Sequence, residues 1–184
     1  FDHLGEVWAL PLADGKIADF LKNDEVQDEI AAITLRGQLI DAQSFFNLNN
    51  LWDKDFQAIN AAGVEEYGRL LDSLSLDRNL AQLTARRVLQ SHMPLHNIKD
   101  LLKLDFYNDA LLEKISLLVT VLPTLTRVNV NTASPEVLMA AIAGLNRATA
   151  IGFVQQRSTK PLKSIDAATA LLNQLGLSQA VAID

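Results

Sequence analysis

Arg127-Val-Asn-Val-Asn-Thr-Ala-Ser-Pro-Glu-Val-Leu138 is the stretch whose reading decides the fold. Two asparagines alternate with valines, and a run of small polar residues then leads to a proline. Asparagine bonds nearby backbone and tolerates left-handed conformations, so such a run shapes a corner. Thr132 or Ser134 is positioned to cap a helix, with Pro135 in its first turn. Val137, Leu138, Ala141 and Ile142 supply that helix's apolar face, and Gly144 ends it. A second helix is predicted from Asn146 to Arg157, carrying Ala150, Ile151 and Val154. Pro161-Leu-Lys-Ser-Ile165 then opens a third.

A polar lead-in, a helix, a glycine turn, a second helix and an arginine have the layout of a helix-hairpin-helix. In its nucleic-acid-binding form such a hairpin offers phosphate two backbone amides at a glycine-rich turn. Here the turn reads Ala143-Gly-Leu-Asn146, with one glycine, and Arg147 and Arg157 are the nearby positive residues. On a chain of net charge −6, this predicts a hairpin used for packing; a nucleic-acid-binding module is the alternative reading.

Upstream, Ile33, Leu35 and Leu39 alternate with Thr34, Arg36 and Gln38 inside Glu29–Asp41, which predicts a strand with one buried face. Phe46, Asn47, Asn49 and Asn50 follow in Phe-Asn-Leu-Asn-Asn-Leu51, a second asparagine-rich corner pinned by apolar neighbours. Residues 1–27 read as the tail of a helix or an irregular lead-in. From about residue 54 the pattern turns helical: Val64, Tyr67, Leu70, Leu71 and Leu74 share a face. Leu80, Leu83 and Val88 predict another helix, capped by Asp77 or Ser75. Asn97 is placed to cap a helix after Pro94. Leu111, Leu112, Ile115 and Leu118 predict one more, closed by Pro123. Pro94-Leu-x-x-Ile98 echoes Pro161-Leu-x-x-Ile165, which predicts two related helical units stacked together.

The composition narrows the chemistry. The chain has 184 residues, 49% hydrophobic, with no cysteine, which removes thiolate metal sites and cysteine nucleophiles. The longest apolar run, around Leu117–Leu122, is too short to span a bilayer. His92 and His96 are separated by Pro94 and read as surface or capping residues. Asp53-Lys-Asp55 lacks the oxygen density of a calcium loop. No nucleophile elbow, Walker loop or dinucleotide fingerprint is present, so no catalytic, cofactor-binding or metal-ligating residue is assigned.

Taken together, Leu39-Ile-Asp-Ala-Gln-Ser-Phe-Phe-Asn-Leu-Asn-Asn-Leu51 and the Arg127–Leu138 stretch resemble the two hallmarks of the type II secretion minor pseudopilin K family. Asp2-His-Leu-Gly-Glu-Val-Trp8 with Pro11 resembles the stretch after its N-terminal helix, and Pro94-Leu-x-x-Ile98 with Leu101 fits its helical middle. The resemblance implies a mostly helical α+β fold: a small pilin-like α/β domain with a short antiparallel sheet, interrupted by a larger helical insertion. The expected parts are 1–51 (pilin-like), 52–160 (helical insertion) and 161–184 (helical return), with the pilin-like sheet's closing strands not found before Asp184.

The implied role is non-enzymatic, at the tip of a periplasmic pseudopilus with minor pseudopilins I and J, and H as a further candidate partner. An inner-membrane anchor helix is expected ahead of Phe1. Phe1, Leu4, Trp8 and Leu12 continue from that stem and are the expected partner surface. Phe46, Asn47, Asn49, Asn50, Asn129, Asn131 and Thr132 are the expected structural motif. Calcium enters by resemblance alone: the family's acidic stretch is not found, and Gln90-Ser-His-Met93 runs straight through.

Overall fold

The computed structural model describes residues 2–11, 14–16, 33–55 and 57–177. The chain is mostly helical, with three two-stranded ladders among the described residues. β1 (Gly15–Lys16) pairs antiparallel with β2 (Thr34–Leu35). β3 (Phe46–Asn47) and β6 (Val119–Thr120) pair in parallel. β4 (Trp52–Asp53) and β5 (Ala58–Ile59) form a hairpin. The helices are α1 (Ala61–Ser73), α2 (Asn79–Ser91), α3 (Asp109–Ser116), α4 (Pro135–Ala141), α5 (Arg147–Thr159) and α6 (Ile165–Gln174).

The echo between the Pro-Leu segments extends to whole units. In each, an asparagine corner leads to two helices, a Pro-Leu segment and a further short helix. In the first unit α1 and α2 are followed by Pro94-Leu95 and a 3-10 helix, Ile98–Lys103. In the second, α4 and α5 are followed by Pro161-Leu162 and α6. The leading helices α1 and α4 pack on each other, which joins the two units through one core.

Burial of the apolar faces drives this arrangement. Val64, Tyr67, Leu70 and Leu71 of α1 lie inside it, with Val137 and Leu138 of α4 and Ala150 and Phe153 of α5. Each fully buried large side chain contributes about 1.5–3 kcal/mol. Phe46, Leu48 and Leu51 of the first corner join the same core, and the Phe46 ring stacks on Tyr67 at 5.4 Å. The Tyr67 and Tyr107 hydroxyls are 2.9 Å apart, and Thr84 Oγ1 lies 3.0 Å from the Tyr107 hydroxyl. This buried hydroxyl chain ties α1, α2 and the approach to α3. Burial raises the pKa of both tyrosines, so both stay protonated at neutral pH.

Several expectations are corrected. Within residues 52–59 the chain forms the β4–β5 hairpin, and helix begins only at Ala61. The segment expected as one long strand pairs only over Thr34–Leu35; Ile33, Leu39 and Ile40 are exposed. Its period-2 pattern finds no layer to pack against among the described residues, and residues 29–32 lie outside them. α3 stops at Ser116, and the chain turns extended to pair with β3 before reaching Pro123. Arg78 occupies the α2 N-cap position, while Asp77 Oδ1 accepts from Asn79 N at 2.9 Å. Leu83 is exposed. Of the two candidate caps before α4, Ser134 is the one used: its Oγ accepts from Val137 N at 3.3 Å.

The two ends of α1 are tightly constrained. It ends with Ser75 at φ +56, Ser75 N bonded to Asp72 O and Leu76 N bonded to Leu71 O. This is the Schellman stop that ordinarily takes glycine. At the other end, Gly63 in the first turn lies so close to the first corner that an added Cβ would sit 2.0 Å from Asn50 O. Gly63→Ala is expected to destabilise by about 3 kcal/mol, because backbone must shift. Ser75→Gly is expected to stabilise by about 1 kcal/mol, by removing the left-handed cost. Urea unfolding of the two variants against the parent measures both.

The 3-10 helix is anchored by Asp100, whose carboxylate accepts from His96 N, Asn97 N and Lys103 Nζ at 2.8, 3.0 and 2.7 Å. Lys103 first, and then the backbone donors, hold the pKa of this carboxyl down at about 2. A depressed carboxyl pKa contributes stability that is present above the unfolded value and lost as pH falls through the folded one. Protection of the His96 and Asn97 amides is therefore expected to fall as pH drops from about 4 towards 2. Asp100→Asn should remove that dependence in an amide-exchange series.

Candidate functional site: two asparagine corners

The asparagines, expected from sequence to bond nearby backbone, grip backbone far away in the chain. In the first corner, β3 runs into a 3-10 turn, Leu48–Leu51, which turns three amide side chains towards passing segments. Asn49 donates from Nδ2 to Leu95 O at 3.1 Å and accepts Leu95 N on Oδ1 at 3.0 Å. Its Nδ2 also donates to Leu122 O at 2.9 Å. Asn50 makes the same two-bond clasp with Thr126, at 2.8 and 3.0 Å. Asn47 accepts Leu122 N at 2.9 Å and donates to Thr124 O at 2.8 Å.

A primary amide has the donor–acceptor geometry of a peptide group, so each clasp imitates one rung of a β-ladder. Residues 122–126 are thereby held as a strap over the corner. Asn47 and Asn49 are buried, and the bonds offset the desolvation of their amides.

The second corner repeats the device. Asn131, also buried, clasps Leu162: its Nδ2 donates to Leu162 O at 2.9 Å, and its Oδ1 accepts Leu162 N at 3.0 Å. Leu95 and Leu162 are the leucines of the two Pro-Leu segments, so Asn49 and Asn131 perform one task in two units. Asn129 and Asn47 correspond too: each accepts the amide of the asparagine two residues on, at 3.0 and 3.1 Å.

The second corner also holds the lead-in. Asn129 Nδ2 donates to Asp2 O at 3.1 Å and to Asp41 Oδ2 at 2.9 Å, and Asn129 N donates to Gln43 O at 2.9 Å. Thr132 Oγ1 donates to Asp41 Oδ2 at 2.6 Å. Asp41 Oδ1 accepts from Gln43 N at 2.9 Å. Thr132 thus binds Asp41 instead of capping α4.

From sequence, Arg157 is a positive residue beside the hairpin. In the structure it is 5% exposed, with its guanidinium donating to Val130 O and Ala133 O, carbonyls on either side of Asn131 and Thr132. Burial lowers its pKa to about 10, which leaves it charged at neutral pH. It secures the corner from beneath and is not available to a phosphate.

The hairpin turns are likewise engaged internally. Gly144 has φ +78, and Asn146 Oδ1 caps α5 by accepting Thr149 N at 2.9 Å. Arg147 pairs with Glu136 at 3.1 Å. In the first unit's turn, Arg78 bridges Asp72 and Glu65. Internal partners thus take the cations on which the nucleic-acid reading depends.

Of the stem residues, Leu4 is exposed and Trp8 half-buried, its Nε1 donating to Glu6 Oε2 at 2.5 Å; Phe1 and Leu12 lie outside the described residues. His92 is exposed, and so is the His96–Asn97 pair that leads into the 3-10 helix. Among the described residues no three histidines or carboxylates converge as a metal site, and no helix is long and apolar enough to cross a membrane.

Residues 128–184 match the family model described as type II secretion system (T2SS), protein K. Over these residues the chain is similar to the type II secretion protein K family. The match covers the second corner, α4, α5, the Pro161-Leu162 segment and α6. That similarity supports a role in type II protein secretion. No match is found among curated proteins.

Sequence reasoning misses the roles of Asp41, Arg157 and the strap. The place of Asp41 within one hallmark stretch is its only sequence signal. Asn49→Ala strips Leu95 of both side-chain partners and Leu122 O of one, and is expected to cost about 3 kcal/mol. Asn129→Ala with Asn131→Ala should likewise destabilise. Chemical denaturation measures these losses, and a double variant as stable as the parent would contradict the assigned role.

Proposed function

We propose that this protein belongs to the protein K family and is a non-enzymatic minor pseudopilin. It sits at the tip of a short periplasmic pseudopilus with minor pseudopilins I and J, with H as a further neighbour, and supports export of folded proteins across the outer membrane. On this reading the full-length protein is held in the inner membrane by a helix ahead of these residues, and this domain lies in the periplasm. The lead-in and residues 33–41 belong to the pilin-like part.

One observation supports the partner surface. Asp2 and Asp41 meet at Asn129, and apolar side chains adjoining them in the chain are left in water. Leu4, Val7 and Leu10 are 59%, 85% and 60% exposed, and Leu39 and Ile40 are exposed as well. Exposed apolar side chains on these two adjoining segments are available for a partner to cover. The second corner fixes this surface to the helical body, so a partner that binds the lead-in also orients the helices.

The test is size-exclusion chromatography of this chain with the soluble domains of candidate I and J proteins from one secretion system. Co-elution as a single complex is expected. Leu4→Glu with Val7→Glu should abolish it while leaving the helical circular-dichroism signal intact. Separate elution of the parent mixture would count against the assembly role.

A further inference from the structure

A groove of about 800 Å³ lies between the end of α5 and the face of α6. Leu162, Leu171 and Pro161 line it, and Ala167 and Ala170 open it, because their short side chains withhold the bulk that would otherwise fill it. Its volume is within the range of ligand pockets, about 300–1,000 Å³. Leu162 is fixed by the Asn131 clasp, so the groove is preformed.

The electrostatics of the groove differ from those of the chain. Among the described residues, Lys160 and Lys163 are its only charged lining residues, both are exposed, and no carboxylate lines it. Within the same residues neither lysine has an ion-pair partner. The whole chain carries net charge −6.

Lys160 has a structural use, since it is the α5 C-cap residue and a cation there favours the helix dipole. Lys163 has none of that kind. It precedes Ser164, the N-cap of α6, where the helix's positive end disfavours a cation. A residue that opposes its local helix, beside an apolar groove, is best accounted for by what enters the groove.

We infer that this groove is a docking site for an acidic amphipathic helix of a partner protein, its apolar face on Leu162 and Leu171 and its carboxylates on Lys160 and Lys163. Helix-in-groove recognition uses this combination of apolar anchors and flanking charge. A second copy of this chain is disfavoured by mutual repulsion of net negative charge. Such docking is independent of the tip-complex reading.

The probe is a fluorescein-labelled synthetic helix of about fifteen residues, with leucines at i, i+3, i+4 and i+7 and glutamates flanking them. Its control carries lysine at every glutamate position. Fluorescence anisotropy against the whole chain should show the glutamate peptide binding about tenfold or more tightly than the control. Lys160→Glu with Lys163→Glu should reverse that preference. Ala170→Trp, which fills the groove without changing charge, should weaken the glutamate peptide comparably.

Lys163→Glu alone should weaken binding yet melt no lower than the parent, which a purely structural lysine would not do. Equal binding of both peptides, a preference that survives charge reversal, or no binding by either peptide would overturn the proposal. So would a dimer in sedimentation velocity that the double reversal abolishes, since that would give the groove to a second copy.

Discussion

Asparagine side chains closed on peptide groups hold the distant irregular segments of this structure together. Asn49 clasps Leu95, Asn50 clasps Thr126 and Asn131 clasps Leu162, each with one donated and one accepted bond. Helices supply volume and apolar area, but they do not say where an irregular segment must lie on them. A clasp does, because a side-chain amide offers a ladder rung at a single point. Aspartate in the same place would present carboxylate oxygen to carbonyl oxygen, and leucine would leave the peptide groups unpaired.

The two corners also account for how one chain supports two kinds of connection. The first holds the strap at 122–126, which closes its own unit. The second holds Asp2, Asp41 and Gln43, which precede both units in the chain. The same device, repeated, therefore stabilises a unit in one copy and joins a unit to the lead-in in the other. Arg157 fits this view: a buried cation bonded to carbonyls alone costs desolvation, and is retained where the corner's own carbonyls need donors.

Much of the architecture is legible in the sequence. Helical periodicity marks α1 and α4, because their apolar faces meet the core at the spacing a helix imposes; α5 forms where expected, but Phe153 is buried and the expected Ile151 is 39% exposed. The Pro-Leu echo marks the two units. What is not legible depends on partners far off in sequence. Alternation across Ile33–Leu39 looks like a buried strand, yet burial requires a second layer that periodicity cannot supply. Asn129 and Asn131 announce a corner, but nothing local reveals that one reaches Asp2 and the other Leu162. Arg157 looks like surface charge because a lone arginine in a helix usually is.

One amide has a consequence for how the molecule breathes. Asn49 holds Leu95 and Leu122 at once, with Asn47 also accepting Leu122 N, so both necks of the segment between them close on the first corner. That segment contains the 3-10 helix, α3 and β6, and its interior anchors are Leu101, Tyr107 and Ile115. Losing the clasp loosens both ends together, which makes residues 95–122 a natural unit of partial opening. Fluctuations of the first unit would then be all-or-none across that stretch, and the α1–α2 pair could persist while it opens.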